Sequence, residues 1–162
     1  MKMLMLLLAA ATVFAVGCVS ERTGTQTPPT EEQMRVAVRR AVQRLITDPD
    51  FKTMYGRLKS HVSARGNDRP TMTIVELESH VKGLSDYVLN PARDELKVAL
   101  RKTRLFRIAD SRWSETSDFG LSGNLTVSSD GMHYYLTMRL LQYDYANVNE
   151  EIWNDFQEVG KE

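Results

Sequence analysis

The chain has 162 residues with 21 basic and 21 acidic side chains, a formal net charge of zero, and an apolar share of 42%. Its first 17 residues hold 14 of the apolar positions; the remaining 145, about 37% apolar, suffice for one globular domain burying about 70% of its unfolded surface. Neutrality excludes the basic profile of a dedicated nucleic-acid binder, and a single cysteine excludes an internal disulfide framework or a cysteine zinc site.

Residues 1–17 have the layout of a signal peptide: Lys2 as the positive start, an apolar run Met3–Val16 broken by Thr12, then the small residue Gly17. Ala15-Val16-Gly17-Cys18 resembles the bacterial lipobox, in which the cysteine thiol takes a diacylglyceryl group and becomes residue one after cleavage. Cys18 is therefore the expected lipidation site. Two or three acyl chains meet the requirement for stable anchoring. By resemblance to enterobacterial lipoproteins, Val19 in place of Asp directs the chain to the outer membrane, facing the periplasm. Beyond the leader no run approaches the 18 apolar residues of a membrane-spanning helix. Residues 18–30 (Cys18, then VSERTGTQTPPT) read as the lipidated cysteine and a short tether. Its twelve residues after Cys18 reach at most about 40 Å.

The domain proper spans residues 31–162. Met34, Ala37, Val38, Ala41, Val42, Leu45 and Ile46 fall at helical spacing, predicting an amphipathic helix over Glu31–Ile46 with Thr30 as its cap. Arg35, Arg39, Arg40 and Arg44 lie off that stripe, as a solvated face would place them. Asp48-Pro49 restarts a helix as cap and first position, with Phe51, Met54, Tyr55, Leu58 and Val62 on its apolar side, ending near 65–68. The β-branched run Thr71–Leu77 after Pro70 predicts the first strand, and Glu78–Val88 a surface loop. Asn90-Pro91 predicts the start of a third helix with Leu96, Ala99 and Leu100 inward, followed by a strand over Leu105–Asp110. Phe119–Val127 alternates apolar and polar residues, Asp130-Gly131 marks a hairpin turn, and Tyr134, Leu136, Met138 and Leu140 share the core face of the return strand. Asn147–Asn149 predicts a further turn and Glu151–Val159 a last strand holding Ile152, Trp153 and Phe156. The order predicts an α+β fold: a mixed sheet with one β-α-β crossover, an antiparallel C-terminal meander, and helices packed on it.

Chemistry is sparse. His61, His80 and His133 are scattered, none at the spacing of a helical metal site. Glu76 and Glu78 share strand parity, as paired carboxylates for acid–base work would, and as a solvated strand face also does. No serine sits in a nucleophile elbow, and Gly120-Leu121-Ser122-Gly123 lacks the spacing of a phosphate loop. The reading is a binding protein, not an enzyme, with no cofactor, metal, nucleic acid or small-molecule substrate. Aromatics with a polar tip favour interfaces. Strand alternation leaves Tyr135, Tyr143 and Tyr145 as the outward candidates, with Arg139 on the same strand face as Tyr135.

Several phrases then occur in a recognisable order: the lipobox, Leu45-Ile46-Thr47-Asp48-Pro49-Asp50-Phe51, Arg69-Pro70 entering a strand, and Arg104-Leu105-Phe106-Arg107-Ile108-Ala109-Asp110. Ser117-Asp118-Phe119-Gly120-Leu121-Ser122-Gly123, Tyr134-Tyr135-Leu136-Thr137-Met138-Arg139-Leu140 and Glu151-Ile152-Trp153-Asn154-Asp155 follow. Over roughly Glu31–Glu162 this resembles the LpoB family of outer-membrane lipoproteins, activators of bifunctional penicillin-binding proteins. The resemblance implies a periplasmic domain that docks on a peptidoglycan synthase and raises its activity. Three features depart from the family: only Ser111–Ser117 lies between the Phe-Arg-Ile-Ala-Asp and Ser-Asp-Phe phrases, Glu78-Ser79-His80-Val81-Lys82 replaces the usual Asn-x-Thr stretch after the first strand, and the tether is short. The alternative is a structural or assembly lipoprotein of the same fold with another envelope partner.

Overall fold

The computed structural model describes residues 27–64, 66, 68–81, 84, 86–109, 117–143 and 149–160. The leader, Cys18, most of the tether and Tyr145 lie outside the described residues. Among the described residues three helices and five strands follow in the predicted order: α1 (Glu31–Thr47), α2 (Pro49–Ala64), β1 (Thr71–Ser79), α3 (Asp86–Thr103), β2 (Arg107–Ala109), β3 (Phe119–Val127), β4 (Tyr134–Tyr143) and β5 (Asn149–Glu158). The sheet order is β2-β1-β3-β4-β5. β1 pairs in parallel with both β2 and β3, and β3-β4-β5 form an antiparallel meander. This is the mixed-sheet α+β fold that the pattern predicts.

Each helix has a local cause. The Thr30 hydroxyl accepts from the Gln33 N–H while the Gln33 side chain accepts from the Thr30 N–H, a closed capping box for α1. Asp48 Oδ1 accepts from the Phe51 N–H at 2.7 Å, capping α2 as Asp-Pro predicts. α3 differs from expectation. It begins at Asp86, so Pro91 sits inside it, not at its first position, and the predicted loop over Glu78–Val88 shrinks from both ends as β1 runs on to Ser79. Leu89, Ala92, Leu96 and Leu100 form one buried stripe. Burying Leu89 gives back about 2 kcal/mol, which offsets the backbone hydrogen bond that Pro91 removes.

One core unites α1, α3 and the inner sheet face through Met34, Val38, Leu45, Met72, Leu96, Leu121, Leu136 and Leu140, among others. α1 and α3 run side by side in the same direction, with Arg39 Nη1 3.5 Å from Glu95 Oε1. α1 runs against β5: Gln33 lies beside Gly160, the Ala37 carbonyl accepts from Gln157 Nε2 at 2.7 Å, and Arg44 Nη1 donates to Asp155 Oδ1 at 2.8 Å. The chain therefore enters α1 at one end of the molecule, beside the end of β5. α2 and the start of β2 lie at the other end.

Three strand expectations are corrected. The strand expected from Leu105 begins only at Arg107 and runs to Ala109, because Arg104 turns the chain (φ 58°) and Phe106 drops into an aromatic cluster with Phe51, Tyr55 and Phe119; Asp110 lies outside the described residues. Val127 keeps the core-face parity opposite Tyr134 but lies beyond the core at the end of β3, 40% exposed. The last strand begins at Asn149, the residue expected to close a turn, and its inner face carries Asp155 and Gln157 with half-buried Trp153, while Phe156 points out. Pairing of Leu140 with Trp153 but Leu141 with Glu151 leaves Ile152 in a bulge.

Candidate interaction surface

The helices occupy one side of the sheet, and the opposite face carries the side chains that the pleat turns away from the core. β1 places Glu76 and Glu78 there, both exposed; Glu76 takes part in an interaction of its own. β3 contributes Ser122, Asn124 and Thr126, and β4 contributes Tyr135, Thr137, Arg139 and Tyr143. Opposite β4 stand Asn154, Phe156 and Glu158 of β5.

Two features stand out on this face. The Tyr135 and Phe156 rings stack at 4.8 Å between centroids with 18° between planes, and Phe156 is 62% exposed. His133, in the β3–β4 hairpin, extends the group: its ring centre lies 6.4 Å from that of Tyr135, and its Nδ1 is 2.7 Å from Glu158 Oε1. Further along β4, Arg139 is exposed with its Nε 3.7 Å from Glu151 Oε2, while Asn154 Nδ2 donates to Glu151 Oε1. Apolar rings rimmed by a loosely paired guanidinium have the make-up of an interface centre.

Tyr143 is held differently. Its ring lies across Gly120, where any Cβ would collide with the phenol, so β3 needs glycine at that position. Burial pushes its phenol above the ordinary tyrosine range. Tyr143 therefore sits at the margin of the surface as a fixed, half-buried group, whereas Tyr135 and Arg139 are presented on it.

The other candidates do not converge. His61 is exposed on α2, and His80 follows β1 with its N–H on the Leu125 carbonyl, far along the chain from the His133–Glu158 pair. Among the described residues no group of three or more His, Cys, Asp or Glu side chains could hold a metal ion. Hollows of 320 Å³ between the start of α1 and the end of β5, and of 260 Å³ between α1 and α3, are lined without a paired nucleophile and base. Among the described residues no helix is long and apolar enough to cross a membrane.

Phe156 is the surface residue that sequence reasoning leaves out. The sequence places Phe156 on the last strand without giving its face, and the structure turns Asp155 and Gln157 inward and Phe156 outward. The turn of both polar side chains toward α1 goes with partners there: Arg44 donates to Asp155 Oδ1 and the Ala37 carbonyl accepts from Gln157 Nε2.

Fold and surface together define an α+β domain whose sheet, among the described residues, has one helix-covered and one open face. Searches of protein-family models, curated proteins and solved structures return no match to this chain.

Proposed function

We propose that this chain is a lipid-anchored docking protein of the periplasm, held in the outer membrane by acyl chains on Cys18. On this reading it binds a bifunctional penicillin-binding protein and raises its activity, as the resemblance to the LpoB activators implies. The observation that carries the docking reading is the open sheet face, with the Tyr135–Phe156 stack exposed beside Arg139. The lipobox at Ala15–Cys18 supports the anchor. The binding reading also needs no catalytic group. The test is direct binding of the full chain, in non-ionic detergent, to the periplasmic part of a bifunctional penicillin-binding protein from the same cell. Saturable binding that Tyr135→Ala with Arg139→Ala weakens about tenfold supports the proposal. No binding at all removes the synthase as partner.

The tether favours a second reading, an assembly lipoprotein with a partner close to the outer membrane. Twelve flexible residues span only about 20 Å on average, and Pro29, within the tether, is buried against the domain. Capture of an outer-membrane protein, with no synthase bound, would establish this alternative.

A further inference from the structure

Charge on this neutral chain is divided between the two edges of its sheet. Lys97–Arg107, which leads into edge strand β2, holds five cations and no carboxylate. Asn149–Glu158, the opposite edge strand β5, holds four carboxylates and no cation. The two edges are not equivalent, however. The β5 carboxylates are largely answered within the molecule: Glu151 by Arg139, Asp155 by Arg44 and Glu158 by His133.

On the β2 side the cations gather. Tyr55 Oη donates to the Leu105 carbonyl at 2.6 Å, joining α2 to the turn before β2. Lys52 and Lys59, three residues before and four after Tyr55, share its helix face and are exposed. Arg107 N–H donates to the Pro70 carbonyl at 2.9 Å, bringing Arg69 to the same place, where the Asp68 carboxylate meets it and Asp118 Oδ2 accepts from the neighbouring Thr71 N–H. Lys52, Lys59 and Arg104 form no ion pair among the described residues. Arg104 is also the one residue other than glycine described with positive φ, at 58°. Glycine at that helix end would avoid a cost of about 1 kcal/mol, so the strained backbone keeps a guanidinium where the fold alone favours none.

We propose that this surface, Lys52, Lys59, Arg69 and Arg104 around the Tyr55–Leu105 contact, docks a carboxylate-rich face of a protein partner. It rests on the docking reading above for the partner being a protein. A second copy of this chain is disfavoured because three of the four β5 carboxylates already have partners within the molecule. The anchoring bilayer is disfavoured because the chain enters α1 at the opposite end of the molecule. The surface is separate from the Tyr135–Phe156 face, so one partner can engage both.

The test uses fluorescein-labelled octaglutamate and the full chain in non-ionic detergent, read by anisotropy. Binding is expected in about 0.1 M salt and loss in about 1 M, as the screening length falls from about 10 to about 3 Å. Lys52→Glu with Lys59→Glu, and Arg104→Gly alone, should each weaken binding about tenfold. Arg104→Gly should do so without lowering the urea midpoint, since it relieves the backbone. Glu150→Lys, on the opposite edge, should change affinity less than about twofold. No binding, unchanged affinity in the first two variants, or an equally large response to Glu150→Lys overturns the proposal. So does binding to phosphatidylglycerol vesicles, or self-association, without binding to the peptide. If octaglutamate binds as expected but no penicillin-binding protein does, the synthase reading fails and this surface stands.

Discussion

At the scale of single residues, the closest fit on the open face is Tyr143 against Gly120. Gly120→Ala must expel the phenol or shift β3 from β4, and overpacking of this kind costs about 1–3 kcal/mol. The urea midpoint of the variant should fall accordingly; a parental midpoint would show that the ring moves aside freely. The raised phenol pKa adds a pH signature. The folded chain holds a proton that the unfolded chain releases near pH 10. This stabilisation is complete below that pH and disappears as pH rises through the folded value. Tyr143→Phe should flatten the loss of stability above about pH 10, measured by urea midpoints across alkaline pH; an equally steep loss would assign the effect elsewhere. In the core, Leu136 is fully buried, and Leu136→Ala should cost about 2–5 kcal/mol by opening a cavity. Trp153 is only half-buried beside the β5 bulge, so Trp153→Ala should cost less than Leu136→Ala; the reverse order would mean the inner face of β5 is misassigned.

Among elements, α3 separates what periodicity reveals from what it hides. Asn-Pro is a good helix start, and a reading of local signals begins α3 there. The structure begins one turn earlier because Leu89 completes the stripe of Ala92, Leu96 and Leu100. Pro91 is then a cost the helix carries. Pro91→Ala should restore a hydrogen bond to the preceding turn and raise the urea midpoint by about 1 kcal/mol or more; a lower midpoint would place the helix start at Asn90 after all. Regular elements with a one-sided environment were legible from spacing: α1, α2, β3 and β4 follow their apolar stripes nearly residue for residue. β5 was not legible in the same way, since its inner face depends on hydrogen bonds to α1 120 and 111 residues away. The outward positions of Tyr135 and Arg139 followed from alternation on β4. Phe156 completes the surface through cross-strand pairing that no local pattern contains.

For the whole molecule, the proposal has three parts: a lipid anchor on Cys18, a domain with one open sheet face, and a basic docking surface at the end of the domain opposite the start of α1. The first part predicts that Cys18→Ser leaves an unprocessed precursor and frees the chain from outer-membrane fractions. Metabolic acyl labelling that persists in the mutant would contradict it. The measurement closest to the central claim is the rate of glycan polymerisation by a purified bifunctional penicillin-binding protein from the same cell, with and without the full chain in detergent. The account predicts a higher rate with the parent chain, lost on changing Tyr135 and Arg139 to Ala together and kept on changing the exposed Glu76 or His80 to Ala. An unchanged rate with the parent, or equal stimulation by the Tyr135 and Arg139 double variant, would contradict it.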